Sequence, residues 1–348
     1  MKESEEKYKQ IINSIPNAVI ITQDKKIVLV NNKACELIGK NYNKIIESDI
    51  YDHIPIRYVK VIHKKIKSIL KDKKSNIISE YDFKCSADEQ MNVQISSSYI
   101  IYKNKPAVLS NIIDITEMKK DLNKAANFQR NFLQKCFPII KKANMAIVYV
   151  PAKVVSGDFY RLYKIDENLV IGIIADIRGK GIIAALSISA FDVLFFQEVS
   201  VTHEPINIIK NLNEKLVNYN EENYIAACCF SIDFNKNELN VSSAGINQFI
   251  FHKKGQSLEV RIAEGTYLGM FQESVFDEQI ISFESDDRFI FFTDGMDFIL
   301  DEDKVIQKYL EKVSISKFKK YMDEFLNDTL AEFGSLKDDC TMIELEMK

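Results

Sequence analysis

The sequence predicts an α+β protein of two domains joined by a helix, and three observations carry that reading. Its 348 residues exceed what one domain of roughly 100 to 200 residues accounts for. Strand-like apolar runs and helical patterns are mixed in both halves. Between the halves Ile115, Met118, Leu122, Ala125, Gln129, Phe132 and Cys136 recur at alternating steps of three and four, a heptad-like series that Pro138 stops. The expected divisions are residues 1–117, a helical linker over 118–137 able to form a two-stranded coiled coil, and residues 138–348.

In the first division, SEEKYKQIINSI signals a helix. NAVIITQDKKIVLVNN places two apolar runs around Gln23-Asp24-Lys25-Lys26, the pattern of a β-hairpin. Short helical pieces follow through ACELIG. In the stretch Lys60 to Lys74, Ile62, Ile66, Ile69 and Leu70 repeat at helical spacing, so its lysines are expected on the wet face of an amphipathic helix. ISEYDFKC, MNVQISSSYIIY and PAVLSNIIDIT supply three more strands, giving five antiparallel strands with helices inserted after the second.

IPNAVIITQDKKIVLVNNKACELIG, closing with NIIDITEMKK and its Asp114–Glu117 signature, resembles a PAS domain over roughly residues 5 to 117. The resemblance implies a sensory or dimerising module of unknown ligand, and a homodimer through this domain and the linker. His53 and His63 are the candidates for haem ligation, although a lone helical histidine is more often structural. The cysteine-bearing signature of flavin-binding photosensors is absent.

Composition narrows the function. With 46 basic and 50 acidic residues the net charge is −4, too balanced for an obligatory nucleic-acid partner. The start MKESEEKYKQ is charged and no apolar run approaches the ~18 residues of a membrane span, so a cytoplasmic location and no membrane partner are expected. The six cysteines, Cys35, Cys85, Cys136, Cys228, Cys229 and Cys340, form no CxxC pair and read as reduced packing thiols. No glycine-rich nucleotide loop of P-loop or kinase spacing and no Gly-Gly-Asp/Glu-Glu-Phe stretch supports a kinase or cyclase.

The second division carries aspartates at the ends of apolar strands. In VSGDFYRLYKIDENLVIGIIADIRGKG, positions 158 and 176 are symmetric about Glu167 in the turn Asp166-Glu167-Asn168. A hairpin in that register sets the Asp158 and Asp176 carboxylates face to face, roughly 5 Å apart at Cβ, where something positive must lie between them or one must hold a proton. RFIFFTDG ends a strand on Asp294, and KDDCTMIELEM sets Asp338 and Asp339 before another. Oxygen-rich clusters without histidine or cysteine suit Mg²⁺ or Mn²⁺, and two such ions can clamp a phosphoryl group.

The order of NFQRNFLQKCFP, VYVPAKVVSGDFYRL, IIADIRGKGIIAALSIS, LNVSSAGINQFIFHKKG, GTYLGMF, FFTDGMDF and DDCTMIEL resembles the SpoIIE-type branch of the PPM (PP2C-like) metal-dependent protein serine/threonine phosphatases. The resemblance spans nearly all of residues 126 to 348 and implies an α/β/β/α sandwich of two antiparallel sheets. It assigns Asp158, Asp176, Asp294 and Asp338 as catalytic metal ligands for two Mn²⁺ or Mg²⁺ ions, with the carbonyl of Ile177 as a backbone ligand and Asp339 supporting or replacing Asp338. Gly179 and Gly181 would turn the chain into a helix whose Ala184 and Ala185 allow close approach to the sheet. Lys180 and Ile246 stand where the family usually has histidine, and Phe298 where it frequently has glutamate. The implied activity is signal-regulated hydrolysis of a phosphoprotein, by resemblance a STAS-type anti-sigma-factor antagonist in partner switching. The alternative is a weakly active or inactive scaffold that binds signalling partners.

Overall fold

The computed structural model describes residues 10–84, 90–177, 182–219, 224–300 and 305–348. The readings made on Cys85, Gly179, Lys180 and Gly181, and on the side chains of Ala184 and Ala185, lie outside the described residues. The chain divides into two compact units, Met1–Asp121 and Leu122–Lys348. The described cysteines are free thiols, and no described helix is long and apolar enough to cross a membrane.

Unit 1 is built on β1 (Ala18–Gln23), β2 (Lys26–Val30), β3 (Ile77–Lys84), β4 (Gln90–Tyr102) and β5 (Lys105–Asp114), ordered β2-β1-β5-β4-β3 with antiparallel neighbours. The β1–β2 turn places Asp24 and Lys25 at φ 47° and 69°, the left-handed pair of a hairpin turn matched to strand twist. Between β2 and β3 the chain forms the helix Asn32–Ile38, a short turn of helix at Tyr42–Ile45, a 3₁₀ turn at Ile50–His53 and the helix Ile56–Asp72. Asn31 is the fastener of this unit. Its buried Oδ1 accepts from the Val19 and Ala34 amides at 2.9 Å each, capping the first helix while holding β1. The helix Ile56–Asp72 buries Ile69, as its periodicity demands, but Lys65 departs from the wet face and is half-buried with its ammonium on the Ser79 hydroxyl.

The helix Thr116–Phe132 begins where the Asp114 side chain accepts from the Thr116 amide at 2.9 Å, so the signature that closes the first division is a helix cap. Its heptad positions are unevenly buried along their length. Met118 and Phe132 are 52% and 54% exposed, Gln129 is buried at 8%, and Cys136 lies beyond the helix. Gln129 turns inward because its amide pairs with backbone: Nε2 donates to the Ser156 carbonyl at 2.9 Å and Oε1 accepts from the Ser156 amide at 3.2 Å.

Unit 2 stacks two five-stranded antiparallel sheets. One holds β7 (Asp158–Lys164), β8 (Leu169–Ile177), β9 (Ile225–Asp233), β10 (Glu238–Ala244) and β13 (Glu278–Ser282), ordered β13-β10-β9-β8-β7. The other holds β6 (Ala143–Val150), β11 (Gln248–His252), β12 (Glu259–Ile262), β14 (Arg288–Phe292) and β15 (Cys340–Met347), ordered β12-β11-β14-β15-β6. Alternating side chains fill the space between them, with Phe230 of β9 stacked on Phe291 of β14 at 4.2 Å between ring centroids. The opposite face of the first sheet buries Ile171, Ile173 and Ala175 against the helices Ile182–Val201 and Pro205–Tyr219. That of the second buries Ile290 and Met342 against the helices Val305–Leu310 and Ile315–Phe333. The result is the expected α/β/β/α sandwich, with the strand ends that carry aspartates at one edge of it.

Candidate metal centre

The β7–β8 hairpin has the register that its sequence symmetry predicts, with Asp158 directly opposite Asp176 and every pair down to Lys164 and Val170 in phase. Asp158 is fully buried. Its Oδ2 accepts from the Thr293 hydroxyl at 2.8 Å and its amide donates to Ser156 Oγ at 3.0 Å, so Thr293, just beyond β14, links the two sheets at this point. Asp294 follows at the start of a 3₁₀ turn, Asp294–Leu300. Strand pairing of β14 with β15 continues into a Thr293 to Thr341 backbone bond of 3.0 Å, which brings Asp294 beside Asp338 and Asp339. Gly295 permits that approach, since a β-carbon there would stand 2.0 Å from the Asp339 carbonyl oxygen.

A cavity of about 660 Å³ opens at this edge. Asp176, Asp294, Asp338 and Asp339 line it together with Gly157 and Ile177, and Asp297 joins them. Asp158 stands behind Asp176 and is not among the lining residues. Among the described residues no three acidic, histidine or cysteine side chains come close enough together to form a ready-made ion-holding group.

Among the described residues the electrostatics are those of clustered negative charge. Burial, then the charges of Asp294, Asp338 and Asp339, push the Asp176 carboxyl up to about 6. Burial and Asp338 raise Asp294, burial and Asp294 raise Asp297, and Asp158 is raised above all by burial. No lysine or arginine stands among the described lining residues. Gly157 keeps a cradle open: a β-carbon there would meet the Ile177 carbonyl oxygen at 2.7 Å and Asp176 Oδ1 at 3.4 Å.

The two C-terminal aspartates differ in employment. Asp339 accepts from the Ala152 amide with Oδ1 at 2.7 Å and from the Gly157 amide with Oδ2 at 2.6 Å, so both its oxygens hold the loop before β7. Asp338 is exposed and receives a 2.9 Å bond from the Asp339 amide on Oδ1. Ile246 lines the cavity as an apolar wall beside Asn247, Gln248, Tyr224 and Tyr267. Phe298 packs on Phe325 at 5.5 Å and is not among the lining residues, so its departure from the usual glutamate belongs to the core. Sequence reading missed Asp297, although its position three residues after Asp294 in a 3₁₀ turn puts both on one face.

The family model described as Stage II sporulation protein E (SpoIIE) matches residues 166–348, more than half of the chain. The chain belongs to the SpoIIE family. Its C-terminal unit is thereby a serine/threonine protein phosphatase domain of the PP2C type, a hydrolase. A PAS-domain model matches residues 6–72. Among curated proteins, the phosphoserine phosphatase RsbU of Bacillus subtilis is 29% identical over 67% of this chain and 71% of RsbU. The phosphoserine phosphatase RsbP of the same organism is 27% identical over 51% of this chain and 45% of RsbP. Among solved structures, the SiaA-PP2C domain of Pseudomonas aeruginosa shares the fold at a TM-score of 0.56 and 16% identity, over 67% of this chain and 97% of that one. The phosphatase domain of SpoIIE from Bacillus subtilis with part of its regulatory domain does so at 0.51 and 14% identity, over 85% of this chain and 75% of that one.

Proposed function

We propose that this SpoIIE-family chain is a signal-regulated, metal-dependent phosphatase of a phosphoserine protein. Asp158, Asp176, Asp294, Asp338 and the carbonyl of Ile177 are the proposed ligand set for two Mg²⁺ or Mn²⁺ ions. One observation carries the proposal: carboxylates from strand ends of two opposed sheets converge on one cavity beside a backbone carbonyl, with no basic side chain in the described lining to neutralise them. Hard oxygen donors favour Mg²⁺ or Mn²⁺ over zinc. When bound, two such ions supply neutralisation of the phosphoryl charge and a more acidic water for in-line attack.

The chain's own residues divide the remaining work. Asp338 has the freedom to serve as the C-terminal ligand because Asp339 is spent on the Ala152 and Gly157 amides. Asp158 is the innermost of the set, held in place by Thr293. Tyr224, Tyr267 and Ile246 offer apolar surface to a peptide, and Asn247 and Gln248 offer amides to its backbone. RsbU and RsbP are phosphoserine phosphatases, and by resemblance to the SpoIIE-type branch the proposed substrate is a phosphorylated STAS-type antagonist. Residues 1–117 sense and dimerise, 118–137 transmit, and the exposed Met118, Phe128 and Phe132 offer apolar contacts to a second copy.

The test is hydrolysis of a phosphoserine STAS-domain protein and of an aryl phosphate with Mn²⁺, Mg²⁺ or chelator. Turnover is expected with either metal and none with chelator. Asp294→Asn should lower it at least ~10²-fold with an unchanged melting temperature. Turnover that survives chelation, or near-normal turnover in Asp294→Asn, overturns the assignment. A folded protein silent under every condition leaves the scaffold reading in its place.

A further inference from the structure

Unit 1 has a second, partly open cavity of about 660 Å³ between its sheet and the helix Ile56–Asp72, a volume within the range of small-molecule sites. Most of the wall is hydrocarbon and aromatic, including Ile20, Ile62, Ile66, Ile95 and Phe83. A stripe of hydroxyls crosses the sheet face that lines it, one from each of four adjacent strands: Thr22, Ser110, Ser97 and Ser79. Ser97 and Ser110 satisfy one another at 3.0 Å. Thr22 is 6% exposed and its Oγ1 has no partner, a polar atom that an apolar cavity has no reason to keep.

Lys65 supplies the positive charge. The sequence puts it among lysines that face water, yet it lines this cavity. Its described partners are the Ser79 hydroxyl and the face of Tyr81, whose centroid is 5.9 Å from the ammonium, and neither is an anion. The other charged groups that reach the lining, Glu36, Lys40 and Asp52, are exposed, and Glu36 is paired with Lys33 at 2.7 Å. His53 is no open haem ligand, because its ring nitrogens meet Ser48 Oγ at 2.7 Å and Lys40 Nζ at 3.4 Å. His63 is engaged by the Tyr51 hydroxyl at 2.7 Å and does not line the cavity.

We propose that this cavity binds an amphipathic monocarboxylate, its acid group on the Lys65 ammonium and Ser79 hydroxyl and its hydrocarbon body among the isoleucines and Phe83. The charge count selects the head group: one half-buried ammonium balances one negative charge, and a dianionic phosphate would leave the second uncompensated in apolar surroundings. The apolar wall selects the body, and Thr22 offers a hydrogen bond to a polar group farther along it.

Isothermal titration of the full chain with decanoate and with decan-1-ol tests this directly. Decanoate is expected to bind and the alcohol to bind at least about tenfold more weakly. Lys65→Met and Ser79→Ala should each weaken decanoate, Lys65→Met about tenfold or more, while Lys67→Met on the exposed side of the same helix leaves it unchanged. Melting curves establish that each variant is folded. Failure of wild type to bind decanoate, equal affinity for the alcohol, or unchanged decanoate affinity in folded Lys65→Met would each overturn the proposal.

Discussion

Glu344 is a carboxylic acid at the centre of β15 with no exposure and no hydrogen bond to either oxygen. Arg288 approaches to 3.6 Å, but its guanidinium is already spent on the carbonyls of Leu310 and Val313 and on Glu346 at 3.3 Å. Burial therefore prevails over the arginine's pull and carries the Glu344 carboxyl up to about 7. The folded chain holds this proton at a pH where the unfolded chain has released it. Stability is thus fully present below the ordinary glutamate range and is lost as pH rises through about 7. Glu344→Gln should flatten that slope and raise stability at pH 8 relative to wild type by on the order of 1–3 kcal/mol, seen as a higher melting temperature. Melting at pH 5.5 and pH 8 checks it, and parallel curves for both proteins would refute it. Gln129 is the opposite kind of buried polar residue, since both ends of its amide are paired. Gln129→Leu strands the Ser156 amide and carbonyl beside Asp158, so a loss of about 1–3 kcal/mol in stability and reduced turnover are expected. Unchanged melting and turnover in that variant would make the contact incidental.

Among the elements, the β7–β8 hairpin was the most legible, because a short polar turn between two β-rich halves fixes register and register fixes which residues face each other. The strand ends carrying Asp294 and Asp338 are legible for a related reason: an acid directly after an apolar run, as at Asp294, or directly before a strand, as at Asp338, marks the edge of a buried sheet. Orientation within helices was less so. Periodicity grouped Lys65 with solvent-facing lysines and Gln129 with a helical seam, whereas a serine hydroxyl and a serine backbone turned each inward. Those partners are 14 and 27 residues away in the chain, and no local pattern encodes them. The concealment of Asp158 has the same origin, since Thr293 comes from the other sheet. The loop before β7 offers a test. Gly157→Ala forces a β-carbon to 2.7 Å from the Ile177 carbonyl, so metal affinity should fall sharply while the sandwich stays folded. Calorimetric titration with Mn²⁺ reads this directly, and wild-type affinity in the variant would remove the carbonyl from the ligand set.

For the whole molecule, among the described residues one buried cluster is drawn from residues 18 to 112 of unit 1, and three are drawn from residues 137 to 347 of unit 2. Removing residues 1–114 should therefore leave a folded phosphatase domain whose metal-dependent turnover persists and whose response to a unit 1 ligand is gone. Collapse of the truncated protein into an unfolded state would show that the second unit depends on the first.

The doubly engaged carboxylate of Asp339 has a spectroscopic consequence. Two amide protons, from Ala152 and Gly157, point at opposite oxygens of one anion over 2.7 and 2.6 Å. Charge-assisted bonds this short deshield the proton, so both resonances should lie downfield of the ordinary amide envelope and exchange slowly with deuterium. Because Gly157 also borders Asp176 and the Ile177 carbonyl, its resonance should move on titration with a diamagnetic Mg²⁺ salt more than that of Ala152. One pair of peaks would then report occupancy of the site in a sample that contains no phosphorylated substrate at all.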